Sequence, residues 1–344
     1  MQLPTTVGAY TLVASLGKGG TGEAFLARWR GREVPVVVKV LNPALASDEQ
    51  FVRRFRHEAE VASLVESPWL VQVYEIAEAL GTLFIAMEYV PGFTLAQILT
   101  RAARERVRIS VPIVAELLRQ ALEGLEALHG ARDLEGRSFG FVHRDVTPKN
   151  LVVGDEGRVR LIDLGLAKSN VRSWQTVPGK VLGSLGYVAP EQLRQGSVDR
   201  KTDVYAVGVI AFEALLLKRY ITKAAPIDMV RQTLDRGVET ICRDRPEVPQ
   251  ALEALILRAL SPDSGQRPDS ARAFARELSA AVPARASTFD VAAFVSGLLG
   301  PEREAREEQH LELLGQRAAG QEEPVTRSHF TLESMALRRT PEPR

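Results

Sequence analysis

A single cysteine, Cys242, occurs in 344 residues, which excludes an intramolecular disulfide and any thiolate-rich metal site and suits a reducing compartment. Charge of one sign is missing too. Against 44 Lys and Arg stand 43 Asp and Glu, a net charge of +1, so no global field argues for nucleic acid or an anionic membrane as partner. Long hydrophobic runs are also absent: the most apolar late stretch, residues 291–299, is interrupted by Ser296 and Gly297 and falls far short of the ~20 residues a spanning helix requires. Residues 1–10 lack the basic-then-apolar pattern of a secretory signal, and no internal repeat is visible. The expectation is a cytoplasmic protein with no membrane span and no nucleic-acid partner, its oligomeric state left open. What remains is an ordinary soluble composition, 45% hydrophobic and 25% charged, in a chain with room for about two domains.

The first ninety residues read mainly as strands. Residues 10–16 run into a glycine cluster, 23–29 alternate, 33–40 form a β-branched run with Pro35 near its start, and 83–90 complete the set. One helix interrupts them: Ser47 followed by Gln50 predicts a capping-box start, Phe51, Phe55, Ala59, Ala62 and Val65 recur at helical spacing, and Pro68 marks the end. Pro91-Gly92 is a strong break, after which helical periodicity dominates, most clearly over 114–128 with Leu117, Leu118, Ala121, Leu125 and Leu128 on one face. The coarse architecture is therefore a small β-rich region followed by a larger helical one, joined near residues 88–92. After about Pro283 the periodic signal thins; residues 302–317 are expected as a solvated helix and the rest as flexible.

Chemistry concentrates between Phe141 and Gly165. His143-Arg144-Asp145 and Asn150 precede Leu151-Val152-Val153, a short buried run like Phe141-Val142, while residues 158–162 alternate like a half-buried strand. Gly154-Asp155-Glu156-Gly157 is the turn that returns Asp163-Leu164-Gly165 toward Asn150 and Asp145. Alone, these acids and amide fit a phosphoryl-transfer centre or a bare metal site equally.

The cluster Gly17-Lys18-Gly19-Gly20-Thr21-Gly22 narrows the choice. A dinucleotide fingerprint would open a helix, but residues 23–29 alternate like a strand. A Walker loop needs Lys then Ser or Thr after the last glycine, where Glu23 and Ala24 stand. What remains is a glycine-rich hairpin, either a simple turn or one whose bare backbone closes over nucleotide phosphates. Lys39, flanked by apolar neighbours, either snorkels to water from an edge strand or meets an anion. Glu58, on the inward stripe of the predicted helix or at its edge, offers that anion.

Gly17-x-Gly19-x-x-Gly22, Lys39, Glu58, His143-Arg144-Asp145 with Asn150, Asp163-Leu164-Gly165 and Ala189-Pro190-Glu191 stand in the order and spacing of the eukaryotic-like protein kinases. The chain resembles that family, its bacterial serine/threonine members most of all, over roughly residues 8–283. The resemblance implies an α+β, two-lobe fold: a small antiparallel β-rich N-lobe (8–90) with one regulatory helix, a larger mainly α-helical C-lobe (91–283), and a C-terminal extension (284–344), partly helical or flexible. It also implies ATP with Mg²⁺ or Mn²⁺, and protein substrates with Ser or Thr acceptors, the chain itself among them.

Residue by residue, the resemblance makes Asp145 the group that orients the acceptor hydroxyl, makes Asn150 and Asp163 metal ligands, and sets Lys39, steadied by Glu58, on the α- and β-phosphates. Gly17, Lys18, Gly19, Gly20, Thr21 and Gly22 would cover the phosphates; Leu16, Ala24, Val37, Met87 and Val152 would sandwich adenine, with the backbone at Glu88 and Val90 on its edge. Glu191 and Arg267 match a buried ion pair, and Asp203 a brace of the catalytic loop. Arg144 invites a phosphate on the activation segment, where Ser169, Ser173, Thr176 and Ser184 are available, Thr176 first and Ser173 second. The family pattern is broken at Thr147, where a lysine is usual, with Lys149 as the compensating cation, at Leu164, where a phenylalanine is usual, and at Ala24 and Val37, which lie on the adenine roof and predict changed inhibitor fit. Two other functions are weighed: a pseudokinase-type scaffold, against which stand Lys39, Glu58, Asp145, Asn150 and Asp163, and a small-molecule phosphotransferase, against which stand Arg144 and the Glu191 to Arg267 anchor.

Overall fold

The computed structural model describes residues 3–315 apart from 33, 80, 134, 164–181, 195, 223–224 and 236–239. It divides into two compact units, one of residues 1–63, 72–89 and 305–344, the other of 64–71 and 90–304.

The first unit is built on an antiparallel sheet of β1 (Thr5–Val7), β2 (Tyr10–Lys18), β3 (Gly22–Trp29), β4 (Pro35–Leu41), β5 (Val73–Ala79) and β6 (Thr82–Glu88), in the order β1-β2-β3-β4-β6-β5. β-Branched residues fill β4 because they suit a pleated surface, and Pro35, which has no N–H, sits at its first position. Side chains alternate across a strand, so Val36, Val38 and Val40 join Tyr10, Leu12, Phe25, Ala27, Phe84 and Ala86 in one apolar core. Val37 and Lys39 take the opposite face, Val37 paired with Leu26 and Met87, Lys39 with Ala24 and Ile85.

Two helices follow β4: the short α1 (Pro43–Ala46), then α2 (Glu49–Leu64). The start of α2 differs from the expected cap. Ser47 instead closes α1, its hydroxyl donating to the Ala44 carbonyl at 3.1 Å, while Asp48 Oδ1 accepts from the Phe51 N–H at 3.0 Å. A carboxylate caps at least as well as a hydroxyl and adds negative charge at the positive end of the helix dipole, so Asp48 displaces Ser47. Phe51 and Phe55 stack with ring centroids 6.2 Å apart and are buried with Ala62, as the stripe predicts, while Val61, off the stripe, is buried too and Val65, expected on it, lies half-buried past the helix end.

The second unit is mainly helical: α3 (Leu95–Glu105), α4 (Val111–His129), α5 (Leu182–Leu185), α6 (Pro190–Leu193), α7 (Arg200–Leu216), α8 (Pro226–Asp235), α9 (Ile241–Asp244), α10 (Gln250–Ala259) and α11 (Ala271–Ala281). Every residue of α7 from Thr202 to Leu215 is buried, so α7 is the axis on which α4, α10 and α11 pack. A small antiparallel sheet, β7 (Gly92–Thr94), β8 (Leu151–Gly154) and β9 (Val159–Leu161), lies in the same unit. β8 is buried throughout and β9 is half-buried with alternation, matching their sequence patterns, and the 154–157 turn closes with Gly157 N–H donating to Gly154 O at 2.7 Å. Phe141 and Val142, expected as a buried run, are half-buried and lie outside any strand.

The last helix, α12 (Thr288–Gly315), begins well before residue 302. Val291, Val295, Leu298 and Leu299 are buried along it, and the backbone kinks at Leu299 (φ −131°, ψ 21°), two residues before Pro301. Proline has no N–H for the helix ladder and crowds the preceding turn, which accounts for the kink and for the weak periodicity there. Gly157 sits under the start of α12 at φ +80°, where an added Cβ would lie 1.8 Å from the Thr288 carbonyl oxygen; only glycine fits.

Candidate active site

In the second unit the loop 143–150 is fixed from below by one buried carboxylate. Asp203, in the first turn of α7, accepts from the His143 N–H and the Arg144 N–H, each at 2.8 Å, and pairs with His129 Nε2 at 2.7 Å. Arg144 takes the left-handed conformation, φ 64°, which a non-glycine residue adopts only where its surroundings hold it. The Asp145 N–H donates to His143 Nδ1 at 3.3 Å. Burial raises the Asp203 carboxyl, but the hydrogen bond and charge of His129, then His143, outweigh it and hold the group below its ordinary range. Burial pushes the His143 imidazole down, toward its neutral form, against the upward pull of Asp203, Asp145 and Asp163.

Above that base, Asn150 Nδ2 donates to the Asp145 carbonyl oxygen at 2.8 Å and to its carboxylate Oδ2 at 3.1 Å. The two residues that the sequence placed together are therefore in direct contact. With its nitrogen so engaged, the Asn150 amide has its oxygen left for a hard cation. Ile162 N–H donates to Asn150 O at 2.8 Å, which brings the end of β9 alongside, and Asp163 follows at φ 57°. Thr147 is buried and Lys149 is exposed. Val152 is buried on β8, and Val90 is half-buried before β7.

In the first unit β2 and β3 form the glycine-rich hairpin, with Gly17 opposite Ala24, Lys18 opposite Glu23, and a register shift that leaves Leu16 as the extra residue. The turn closes through Gly19 N–H to Gly22 O at 2.8 Å, and Asn42 N–H donates to Thr21 O at 3.0 Å. The glycines differ in purpose. A Cβ at Gly22 would lie 2.0 Å from the Val40 carbonyl oxygen, so this one is required by packing, whereas nothing stands within 4 Å of one added at Gly17 or Gly20. That open backbone fits an anionic ligand brought close to peptide N–H groups. Lys39, Ala24, Val37 and Met87 share one face of the sheet; Lys39 and Met87 are buried, and Glu88 ends β6.

Residues 10–278 match the family described as protein kinase domain. The chain belongs to the protein kinase family. It is 35% identical over 302 residues to the tyrosine-protein kinase MasK of Myxococcus xanthus, covering 86% of this chain and 47% of that one. It is 36% identical over 282 residues to the serine/threonine-protein kinase pkn3 of the same organism (79% and 49%), and 34% identical over 275 residues to PknL of Mycobacterium tuberculosis (79% and 65%). The chain thus spans about half the length of the first two of these curated relatives. Among solved structures, the PknI kinase domain of M. tuberculosis matches with a TM-score of 0.66 at 27% identity, over 83% of this chain and all of that one. The bacterial eukaryotic-like kinase resemblance and the two-lobe fold expected from the sequence are both upheld.

Other parts of this kinase hold its second unit in shape. Arg267 lies buried and grips Glu191 with two hydrogen bonds, Nη1 to Oε1 at 2.7 Å and Nη2 to Oε2 at 2.8 Å. Burial raises the Glu191 carboxyl, but the Arg267 hydrogen bond and charge carry it below its ordinary value. Sequence reasoning missed His129: a histidine ending an apolar helix carries no signal until Asp203 is found beside it. It also missed Glu213, buried on α7, which accepts from Tyr187 Oη at 2.6 Å and from the Tyr220 N–H at 3.0 Å. The side chain of Glu58, and Leu164, Gly165, Ser169, Ser173 and Thr176, lie outside the described residues; Ser184 is in α5, half-buried.

Among the described residues no group of three or more His, Cys, Asp and Glu side chains could hold a metal. Asn150 and Asp163 nevertheless fit Mg²⁺, which binds through one or two protein oxygens and shares the rest of its shell with phosphate and water. Protein kinases as a family use ATP and Mg²⁺.

Proposed function

We propose that this chain is a serine/threonine protein kinase that transfers the γ-phosphoryl group of ATP to protein hydroxyls, its own included. The observation that carries this reading is the Asn150 amide held on both the backbone and carboxylate oxygens of Asp145, because it fixes a candidate base and a candidate cation ligand in one loop. Asp145 orients the acceptor hydroxyl and takes its proton as the new O–P bond forms and the bond from the γ-phosphorus to the β,γ-bridging oxygen breaks, ADP leaving with that electron pair. Asn150 and Asp163 hold Mg²⁺, which when bound offsets charge on the phosphate oxygens. Lys39, steadied by Glu58, contacts the α- and β-phosphates, and Gly17 to Gly22 cover them. Lys149, exposed beside the buried Thr147, supplies the cation that Thr147 lacks.

The finer assignments rest on the same reading. The kinase domain is residues 8–283 and 284–344 an extension. Thr176 is the first candidate for autophosphorylation, paired to Arg144. A cytoplasmic site is supported by the need for ATP and the single cysteine; no described helix is long and apolar enough to cross a membrane. A second reading, transfer to tyrosine, is favoured by the likeness to MasK, whose name makes it a tyrosine-protein kinase.

Intact-mass measurement after incubation with ATP and Mg²⁺ separates these. Mass increments of phosphate in the wild type, absent in Asp145→Asn and Lys39→Met and mapped to serine or threonine, are expected. Mapping to tyrosine would replace the acceptor class. No increment, with no transfer to a generic protein acceptor, would leave a pseudokinase-type scaffold.

A further inference from the structure

The residue after β6 is Tyr89, which lies between the two peptide groups, at Glu88 and Val90, assigned above to the adenine edge. Its side chain is engaged by α12: Tyr89 Oη and His310 Nδ1 are 2.6 Å apart, and the two rings meet edge to face with centroids 5.3 Å apart. The same end of the helix has a second attachment to the sheet, Arg28 Nη1 donating to the Leu314 carbonyl oxygen at 3.4 Å from β3. The preceding residue is held from the other direction, Glu88 N–H donating to Gln72 O at 2.8 Å and Glu88 Oε2 accepting from Gln72 N–H at 3.2 Å. Arg28, Gln72, Glu88, Tyr89, His310 and Leu314 all belong to the first unit.

We propose that His310 is a positioning residue for nucleotide binding: through Tyr89 it sets the orientation of the peptide groups that read the adenine edge. Turning the φ and ψ of Tyr89 would rotate the carbonyl of residue 88 and the N–H of residue 90 away from a base, and it would swing the phenol away from His310. A phenol held both by a hydrogen bond and by ring packing resists that rotation, so the acceptor and donor are presented before the nucleotide arrives. The neutral imidazole suits the task, since its Nδ1 can accept the phenol proton. Burial and then the positive charge of Arg306 both push His310 toward that neutral form. Deleting the contact frees the strand end without removing any group that touches ATP, so it is expected to weaken binding and leave the chemical step intact.

The inference rests on the ATP-dependent reading above, and the test keeps the two apart. ATP affinity of the full chain is measured with a fluorescent ATP analogue, and the KM for ATP and kcat by autophosphorylation, for wild type, His310→Phe, Tyr89→Phe and the double variant; melting temperature is followed in parallel. His310→Phe keeps a ring in place and removes the nitrogen. It is expected to raise KM for ATP by roughly 3- to 10-fold, the range of one lost hydrogen bond, with kcat within twofold. Tyr89→Phe is expected to do the same, the double variant to be no worse than either single one, and His310→Asn, which restores an acceptor, to recover part of the loss. Unchanged ATP affinity in His310→Phe, with only a lowered melting temperature, would make the contact a purely structural one and overturn the proposal. So would additive effects of the two single variants. A wild type that binds no ATP at all would instead remove the premise, and the proposal with it.

Discussion

Replacing Arg267 by alanine is the sharpest test of how the second unit is held together. The guanidinium is buried, with 2% of the residue exposed, and every direction around it is used. It makes the two-pronged contact with Glu191, donates through Nε to Ser261 O at 2.8 Å and through Nη1 to Lys201 O at 3.1 Å, and lies 5.0 Å from the centre of the Tyr205 ring. Glu191 keeps one other described side-chain partner, Thr202 Oγ1, at 2.7 Å. Truncation therefore strands a largely buried carboxylate and two backbone carbonyls. Breaking a buried pair from one side costs about 3–5 kcal/mol, against a total stability of about 5–15 kcal/mol for a domain. For about 150–250 residues each kcal/mol moves the melting temperature by about 2–4 °C, so a fall of roughly 6–20 °C is expected by circular dichroism or calorimetry. The control is the double replacement Glu191→Leu with Arg267→Met. Removing both charges leaves no unpaired ion, and it should recover most of the lost stability. A melting temperature for Arg267→Ala within about 2 °C of wild type would refute the reasoning, because it would mean that water or a neighbour already compensates Glu191.

Further expectations follow from single contacts. Gly157→Ala combines a positive φ with a Cβ placed against the Thr288 carbonyl; a loss of about 1–3 kcal/mol in urea unfolding is expected, and no loss would mean that α12 does not pack there. Asp203 makes stability pH-dependent with a definite sign: its folded carboxyl titrates below the ordinary value of 3.8, so its contribution is complete above that pH and is lost as pH falls through the folded value. Asp203→Asn should therefore flatten the acid limb of stability against pH, and an unchanged limb would exclude Asp203 as its source. Gly22→Ala should weaken the hairpin by driving Cβ into Val40 O, while Gly20→Ala, with open space around it, should leave thermal stability within about 1 kcal/mol and reveal any effect on nucleotide affinity by itself.

Much of this protein was legible in its residues because motif chemistry is local. Gly17 to Gly22, His143-Arg144-Asp145, Asn150 and Asp163 announce themselves by type and spacing, whereas the apolar run 36–38 hides which face of β4 carries Lys39, and only its pairing with Ala24 and Ile85 decides it. Ser47 was misread for a local reason as well: two adjacent residues could each cap α2, and a small difference in acceptor strength and charge decided for Asp48. The start of α12 escaped because Ser296, Gly297 and Pro301 break its apolar pattern, although Val291, Val295, Leu298 and Leu299 still bury themselves.

By itself, then, the sequence determined the kinase family, a β-rich region followed by a helical one, and a short list of candidate residues for handling phosphate and protons. Tertiary structure alone decided how those residues are held. His129 and Asp203 stand 74 positions apart in the chain, and Tyr89 and His310 221. No periodicity reaches over such separations, because the pairing energy of two buried polar groups exists only after folding has taken water away from both.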